Sequence, residues 1–134
     1  MKTNRLIAIL FLIVTGMFFM DLSAQEALKA LVKRCESMKD VNVNIVKNKD
    51  KNTRKVRQVI TSVSFKNNPG LVKDILDAFN KDKDMADQEI ENRSNGRTNN
   101  LFYKFGSTSY SFSENEEGSG SLSVIEKGGD LPQE

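Results

Sequence analysis

Beyond residue 24, the apolar residues first recur at a helical spacing and then alternate as in a strand. Between residues 25 and 38 they fall three or four positions apart, at Leu28, Leu31, Val32, Cys35 and Met38. This spacing places them on one face and predicts an amphipathic helix. Val41, Val43 and Ile45 then alternate with asparagines and Val46, which predicts a half-buried strand.

A hairpin loop and a second strand are predicted next. Residues 47–52 are basic and rich in turn-forming types, so we expect a loop there. A second, longer strand is predicted where Val59, Thr61, Val63 and Phe65 alternate with Gln58, Ile60, Ser62 and Ser64. Two strands joined by so short a loop are expected to pair antiparallel.

The next segment begins with a helix start signal. Asn68 can cap a helix, and Pro69 suits its first position because no N–H is needed there. The apolar face of this helix comprises Leu71, Val72, Ile75, Leu76 and Phe79. Ala86 and Ile90 continue the spacing, so we expect helix as far as residue 92, broken near residues 81–84 and closed by the sequence Ser-Asn-Gly at 94–96.

The last third of the chain reads as strands and turns. Alternation predicts strands over residues 101–105, 109–113 and 121–126, separated by a turn at 106–108 and an acidic, glycine-containing turn at 114–120. The predicted order is α-β-β-α-β-β-β. We therefore expect the α+β class, with an antiparallel sheet of four to five strands and two helices packed on one face. The predicted core contains Leu31, Val32, Ile75, Leu76 and Phe79 with Val43, Ile45, Val63, Phe65, Phe105, Tyr110 and Phe112.

The first 24 residues have the three-part layout of a secretory signal. Lys2 and Arg5 precede a 15-residue apolar stretch at 6–20, and Ser23 and Ala24 offer a small-residue cleavage site. As a helix this stretch spans about 22 Å, short of the roughly 30 Å hydrocarbon core of a bilayer. We expect cleavage after residue 24, the alternative being an uncleaved anchor. A single domain at 25–127, a flexible tail at 128–134 and no transmembrane segment would remain.

The composition of the chain excludes several kinds of active site and partner. The chain has no histidine and one cysteine, which excludes His-dependent nucleophilic triads and Cys/His zinc cages built from this chain alone. It also has no tryptophan, the side chain that most often stacks on carbohydrate. The formal net charge is +2 over the whole sequence and +1 once Lys2, Arg5 and Asp21 are removed. Such a balance argues against nucleic acid as a partner. We expect no cofactor and no catalytic residue.

Three features have plain structural interpretations. Cys35 lies on the apolar helix face and is expected to be a buried hydrophobe, with an intermolecular disulfide or a reactive thiol as alternatives. The acidic cluster Asp82, Asp84, Asp87, Glu89 and Glu91 lacks the spacing of an EF-hand, so we expect a solvated helix face and no metal site. The Gly-Ser-Gly-Ser sequence at 118–121 lacks the ending of a phosphate loop and predicts a hairpin turn.

A basic run is the least ordinary feature of the sequence. Its six cations surround a single acidic residue, Asp50, at a predicted hairpin tip. They are Lys47, Lys49, Lys51, Arg54, Lys55 and Arg57. One interpretation is a solubilising loop that protects a sheet edge. The other is contact with an anionic partner, such as lipid headgroups, polysaccharide or an acidic protein surface.

Four short motifs carry a family resemblance. They are Leu-Ser-Ala-Gln at 22–25, Lys-Arg-Cys-Glu at 33–36, Lys-Asn-Asn-Pro at 66–69 before Leu71-Val72, and Ser-Tyr-Ser-Phe at 109–112. Through them the chain resembles small exported Bacteroidota proteins of unknown function, over essentially all of its mature length. The resemblance implies export and one compact domain and assigns no residue a role.

The expected function is that of an exported binding or interaction module, periplasmic or extracellular, with an unknown protein or an anionic envelope component as partner. The alternatives are a structural envelope component without a specific ligand and a carboxylate-dependent enzyme. Catalysis is disfavoured because the carboxylates are predicted to lie on exposed faces and turns, where burial cannot tune them.

Overall fold

The computed structural model describes residues 25–128 and residue 131. It contains two α-helices, α1 (Glu26–Cys35) and α2 (Pro69–Asp82), and a 3₁₀ turn (Lys83–Met85) follows the second. The strands are β1 (Val41–Lys49), β2 (Val56–Phe65), β3 (Gln88–Ser94), β4 (Arg97–Phe105), β5 (Thr108–Glu116) and β6 (Ser119–Lys127). The predicted signal at residues 1–24 lies outside the described residues, as do residues 129–130 and 132–134 of the predicted tail.

All six strands form one antiparallel sheet in the order β1-β2-β6-β5-β4-β3. The last strand therefore returns to the middle of the sheet and joins the first hairpin to the β3-β4-β5 meander. The predicted α+β class and antiparallel sheet are confirmed. The predicted count of four to five strands is wrong, because the order is α-β-β-α-β-β-β-β.

The additional strand is β3, which the sequence analysis predicted as helix. Helix α2 ends at Asp82, the 3₁₀ turn ends at Met85, and Ala86 is already extended. Asn95 and Gly96 both have positive φ, at 56° and 77°, as the two central residues of a tight hairpin require. The Asn-Gly pair therefore joins two strands and does not close a helix. Ile90 is 45% exposed on β3, so its helical spacing from Ala86 was coincidental.

The core lies between the two helices and one face of the sheet. Helix α1 contributes Leu28, Leu31 and Cys35, and α2 contributes Leu71, Val72, Ile75, Ala78 and Phe79. The buried strand residues include Val63, Phe65, Leu101, Tyr103, Phe105, Tyr110, Phe112, Leu122 and Val124. Among the predicted core residues, Val32, Val43 and Leu76 are partly buried against this cluster. Ile45 is 52% exposed, because edge strand β1 extends there beyond the helix layer.

Two hydrogen-bonded caps fix the helices. Asn68 accepts from the backbone N–H of Leu71 at 3.1 Å, with Pro69 at the first helical position, as predicted. The buried carboxylate of Asp82 accepts from the backbone N–H groups of Ala27 at 3.3 Å and Leu28 at 2.8 Å. Asp82 therefore caps the start of α1 from the end of α2. Neither helix in the described residues has the length and apolar character that would cross a membrane.

Candidate functional site

The six basic residues of the candidate site lie at one end of the sheet, around the β1-β2 hairpin. Lys47 and Lys49 belong to β1 and Arg57 to β2, whereas Lys51, Arg54 and Lys55 lie in the connecting turn. The loop predicted from residue 47 therefore starts later, because β1 keeps its pairing with β2 up to Lys49. We call these six residues the basic tip. All six are exposed.

Asp50 organises the turn that carries the basic tip. Its Oδ1 accepts from the backbone N–H groups of Asn52 at 2.8 Å and Thr53 at 2.9 Å. Its Oδ2 pairs with Nη2 of Arg57 at 2.8 Å. The hydrogen bonds from Thr53 and Asn52 hold the pKa of Asp50 below its ordinary value, and Arg57 acts in the same direction. The single acidic residue of the run is thus used to build the turn.

The other cations of the basic tip are unpaired. Within the described part of the chain, no salt bridge involves Lys47, Lys49, Lys51, Arg54 or Lys55. Five like charges held on one ordered hairpin create a local positive potential in a protein that is close to neutral. Such a surface attracts anionic groups.

A polar groove of about 650 Å³ occupies the opposite end of the sheet. Asn42, Ser64 and Ser121 line its floor, and Asp40, Lys66 and Glu116 lie along its rim. The two carboxylate residues are exposed. They therefore lack the burial that tunes a carboxyl group for acid-base catalysis.

The structure disperses the acidic cluster. Asp82 is buried as the cap of α1, Asp84 lies on the 3₁₀ turn, and Asp87 accepts from the backbone N–H of Gly106 at 2.6 Å. Glu89 and Glu91 belong to β3, where Glu89 pairs with Lys83 and Glu91 accepts from Arg93 and Thr98. The prediction that these residues share one helix face is therefore wrong. In residues 25–128 and 131, no three acidic or cysteine side chains gather in a metal-binding arrangement.

Cys35 is part of the core, and the glycine-rich segment is part of the β5-β6 hairpin. Cys35 is fully buried in the core. Burial raises the pKa of its thiol, although the neighbouring Arg34 acts in the opposite direction. Of the predicted Gly-Ser-Gly-Ser turn only Gly118, at φ 80°, lies in the turn, and residues 119–121 already belong to β6. Gly120 lies within β6, where a Cβ atom would collide with the carbonyl oxygen of Ser113.

Sequence analysis did not assign residues to the face of the sheet opposite the helices, which we call the open face. Lys104 and Lys127 lie on it at exposed positions. The signal was present at residues 109–113, where serine alternates with Tyr110 and Phe112. Such alternation marks a strand with one solvated face. Assigning the lysines to that same face needs the register between distant strands, which the alternation does not supply.

These features define a small single α+β domain with two helices on one face of a six-stranded antiparallel sheet, an open face and a cationic hairpin tip. The chain belongs to the family described as domain of unknown function DUF5024, whose model matches residues 25–125. Comparison with curated proteins and with solved structures finds no match.

Proposed function

We propose that this protein is an exported, non-catalytic binding module that contacts an anionic partner through the basic tip. The observation that carries the proposal is the set of five unpaired cations on a hairpin whose turn Asp50 holds in place. The ordered turn presents these charges at fixed positions. Preorganisation lowers the entropic cost of binding, because the backbone that presents the charges is already fixed.

The proposal predicts a charge-dependent interaction that can be measured with a soluble polyanion. Dextran sulfate is the probe, since it offers anionic groups without an apolar phase. The fourfold variant Lys49→Gln, Lys51→Gln, Arg54→Gln and Lys55→Gln is expected to bind at least about tenfold more weakly at low salt. Binding of the unmodified protein should weaken as salt rises past physiological strength, where the screening length is about 8 Å. Arg57 is retained because it supports the turn through Asp50.

A control variant removes the same number of positive charges from the helix layer. Lys29, Lys33, Lys73 and Lys81 are exposed on α1 and α2, and their replacement by Gln gives the same net charge as the tip variant. This variant should retain most of the binding. Each charge contributes about 0.5 kcal/mol or less to folding, so thermal midpoints should stay close to that of the parent. Equal weakening by both variants would reduce the effect to net charge and contradict a specific role for the tip.

Export gives a separate prediction at the other end of the chain. The charges at Lys2 and Arg5, the apolar stretch and the small residues at Ser23 and Ala24 support cleavage by a signal peptidase. The exported protein is expected to begin near Gln25, the residue at which the family match also starts. N-terminal sequencing of protein recovered from the periplasm or the medium measures this directly. Recovery of a chain that still begins at Met1, held in the membrane fraction, would refute it.

A further inference from the structure

The open face is divided into cross-strand rows, each running across all six strands. One row lies nearest the basic tip and consists of Val46, Ile60, Ile125, Ser109, Lys104 and Gln88. The two rows beyond it, towards the groove, consist of serine and asparagine except for Phe102 and Ile90. On the tip side, Lys127 lies opposite Gln58. The open face is therefore mostly hydroxyl and amide, with an aliphatic corner.

Charge is segregated between the two faces of the sheet. These three rows, which lie wholly in described residues, contain no carboxylate. Glu89, Glu91 and Glu126 each lie opposite a buried residue of the neighbouring strand, so their side chains leave the sheet on the helix face. Lys104 and Lys127 remain on the open face without an ion pair in the described chain. The part of the open face beside the basic tip therefore carries Lys104 and Lys127 without a carboxylate, whereas Asp40 and Glu116 lie at the groove end.

The aliphatic corner lies near these cations, at the β1 side of the open face. Val46, Ile60 and Ile125 are direct neighbours on adjacent strands, so the three side chains form a strip about 10 Å long at the usual strand spacing. Val46 is 49% exposed, and Ile60 and Ile125 are partly exposed. Lys104 lies in the same row and Lys127 one row away. Apolar side chains bordered by cations suit the boundary between headgroups and acyl chains in an anionic bilayer.

We propose that the anionic partner is the surface of a phospholipid bilayer, and that the open face docks on it with Val46, Ile60 and Ile125 entering the interface. This inference rests on the proposed function and extends it from the basic tip to the open face. Lys104, Lys127 and the turn cations Lys51, Arg54 and Lys55 lie over lipid phosphates, whereas Lys47, opposite the buried Val59, faces the helix side of the sheet. The serine and asparagine rows offer hydrogen-bond donors to the headgroups.

The distribution of apolar groups favours a bilayer over an acidic protein. The exposed apolar residues lie at two separate places on the open face, the aliphatic corner and the pair of Phe102 with Ile90 near edge strand β3. Serines occupy the middle of the face. A protein interface typically buries a central aromatic or arginine anchor, whereas a fluid lipid surface accommodates dispersed apolar groups.

The decisive experiment uses the absence of tryptophan from the chain. A single Val46→Trp substitution provides an emission probe in the aliphatic corner. Ile45→Trp is the matched control, because Ile45 is 52% and Val46 49% exposed on neighbouring positions that face opposite sides of the sheet. With vesicles of phosphatidylcholine and phosphatidylglycerol, the emission of the Val46→Trp protein is expected to shift to the blue. The emission of the Ile45→Trp protein should stay unchanged, as should both with phosphatidylcholine alone.

Vesicle sedimentation tests the same docking without a probe. The variant Val46→Thr, Ile60→Thr and Ile125→Thr keeps β-branched side chains on the strands and is expected to lower the partition onto anionic vesicles about tenfold. Its binding to dextran sulfate should stay within about twofold of the parent, since no cation is removed. Thermal midpoints measured beside these assays establish that each variant is folded.

The outcomes separate this inference from the proposed function. Tip-dependent binding to dextran sulfate with no vesicle binding overturns the bilayer as partner and leaves the function intact. Vesicle binding that the threonine variant does not change, with no blue shift from Val46→Trp, also overturns it, because contact would then be by charge alone. Absence of binding to both probes overturns the inference and the function together.

Discussion

Replacing Phe79 by alanine is expected to lower the free energy of unfolding by about 3 to 5 kcal/mol. Phe79 is 1% exposed and lies edge-on against Tyr103, with ring centroids 4.9 Å apart and planes at 86°. The substitution removes a buried ring from the contact between α2 and the sheet and leaves a cavity that the neighbouring strands cannot close. The total free energy of unfolding of a domain this size is about 5 to 15 kcal/mol, so the variant should be close to unfolding at growth temperature.

Urea unfolding measures this loss, provided that the parent and the variant unfold with the same slope. Met85→Ala is the control, because Met85 is 40% exposed on the 3₁₀ turn. It is expected to change the free energy of unfolding by less than about 0.5 kcal/mol. A loss below about 1 kcal/mol for Phe79→Ala would show that the helix does not pack on the sheet at this point.

Local sequence signals predicted much of the fold correctly. The alternation over residues 58–65 predicted strand β2, and the two residues of this strand in the predicted core, Val63 and Phe65, are buried. The Asn68 and Pro69 signal gave the first residue of α2. These predictions succeed because each depends on interactions within a few residues, a cap or a single strand face.

The errors arose where local and long-range interactions compete. Ala86 and Ile90 fit a helical spacing, but the tight turn at Asn95 and Gly96 lets residues 88–94 pair with β4. Ladder hydrogen bonds with a neighbouring strand then outweigh a marginal helix that has few apolar contacts. Ile45 alternates correctly and is nevertheless exposed, because its burial depends on where the helix layer ends. A strand pattern does not contain that information.

The candidate site was predictable in composition but not in arrangement. The sequence identified all six cations of the basic tip, since they lie close together between residues 47 and 57. It did not predict the hydrogen bonds by which Asp50 holds the turn, and it did not assign Lys104 and Lys127 to one face. Joining β1 to β6 across β2 depends on the return of the last strand to the middle of the sheet. That return is a property of the topology, and no short segment encodes it.

Asp82 shows how one side chain can decide whether α1 stays attached. The helix begins at Glu26, so only Gln25 would precede it in a chain cleaved after residue 24, as predicted. Its first backbone N–H groups have no partners within the helix. Asp82 accepts from two of them, at Ala27 and Leu28. Tyr110 adds a further tether, because its hydroxyl donates to Oε1 of Gln25 at 2.8 Å.

Replacing Asp82 by alanine is therefore expected to lower the free energy of unfolding by about 2 to 4 kcal/mol, since two donors at a buried helix start lose a charged acceptor. Asp82→Asn should lose roughly half as much, because its amide keeps one acceptor oxygen. Asp84→Ala removes an exposed neighbouring charge and should cost less than about 0.5 kcal/mol. Hydrogen exchange locates the effect, since amides of α1 should lose protection before those of β2 and β6. Uniform loss across the sheet, or no loss in α1, would mean that core packing through Leu28 and Leu31 holds the helix without its cap.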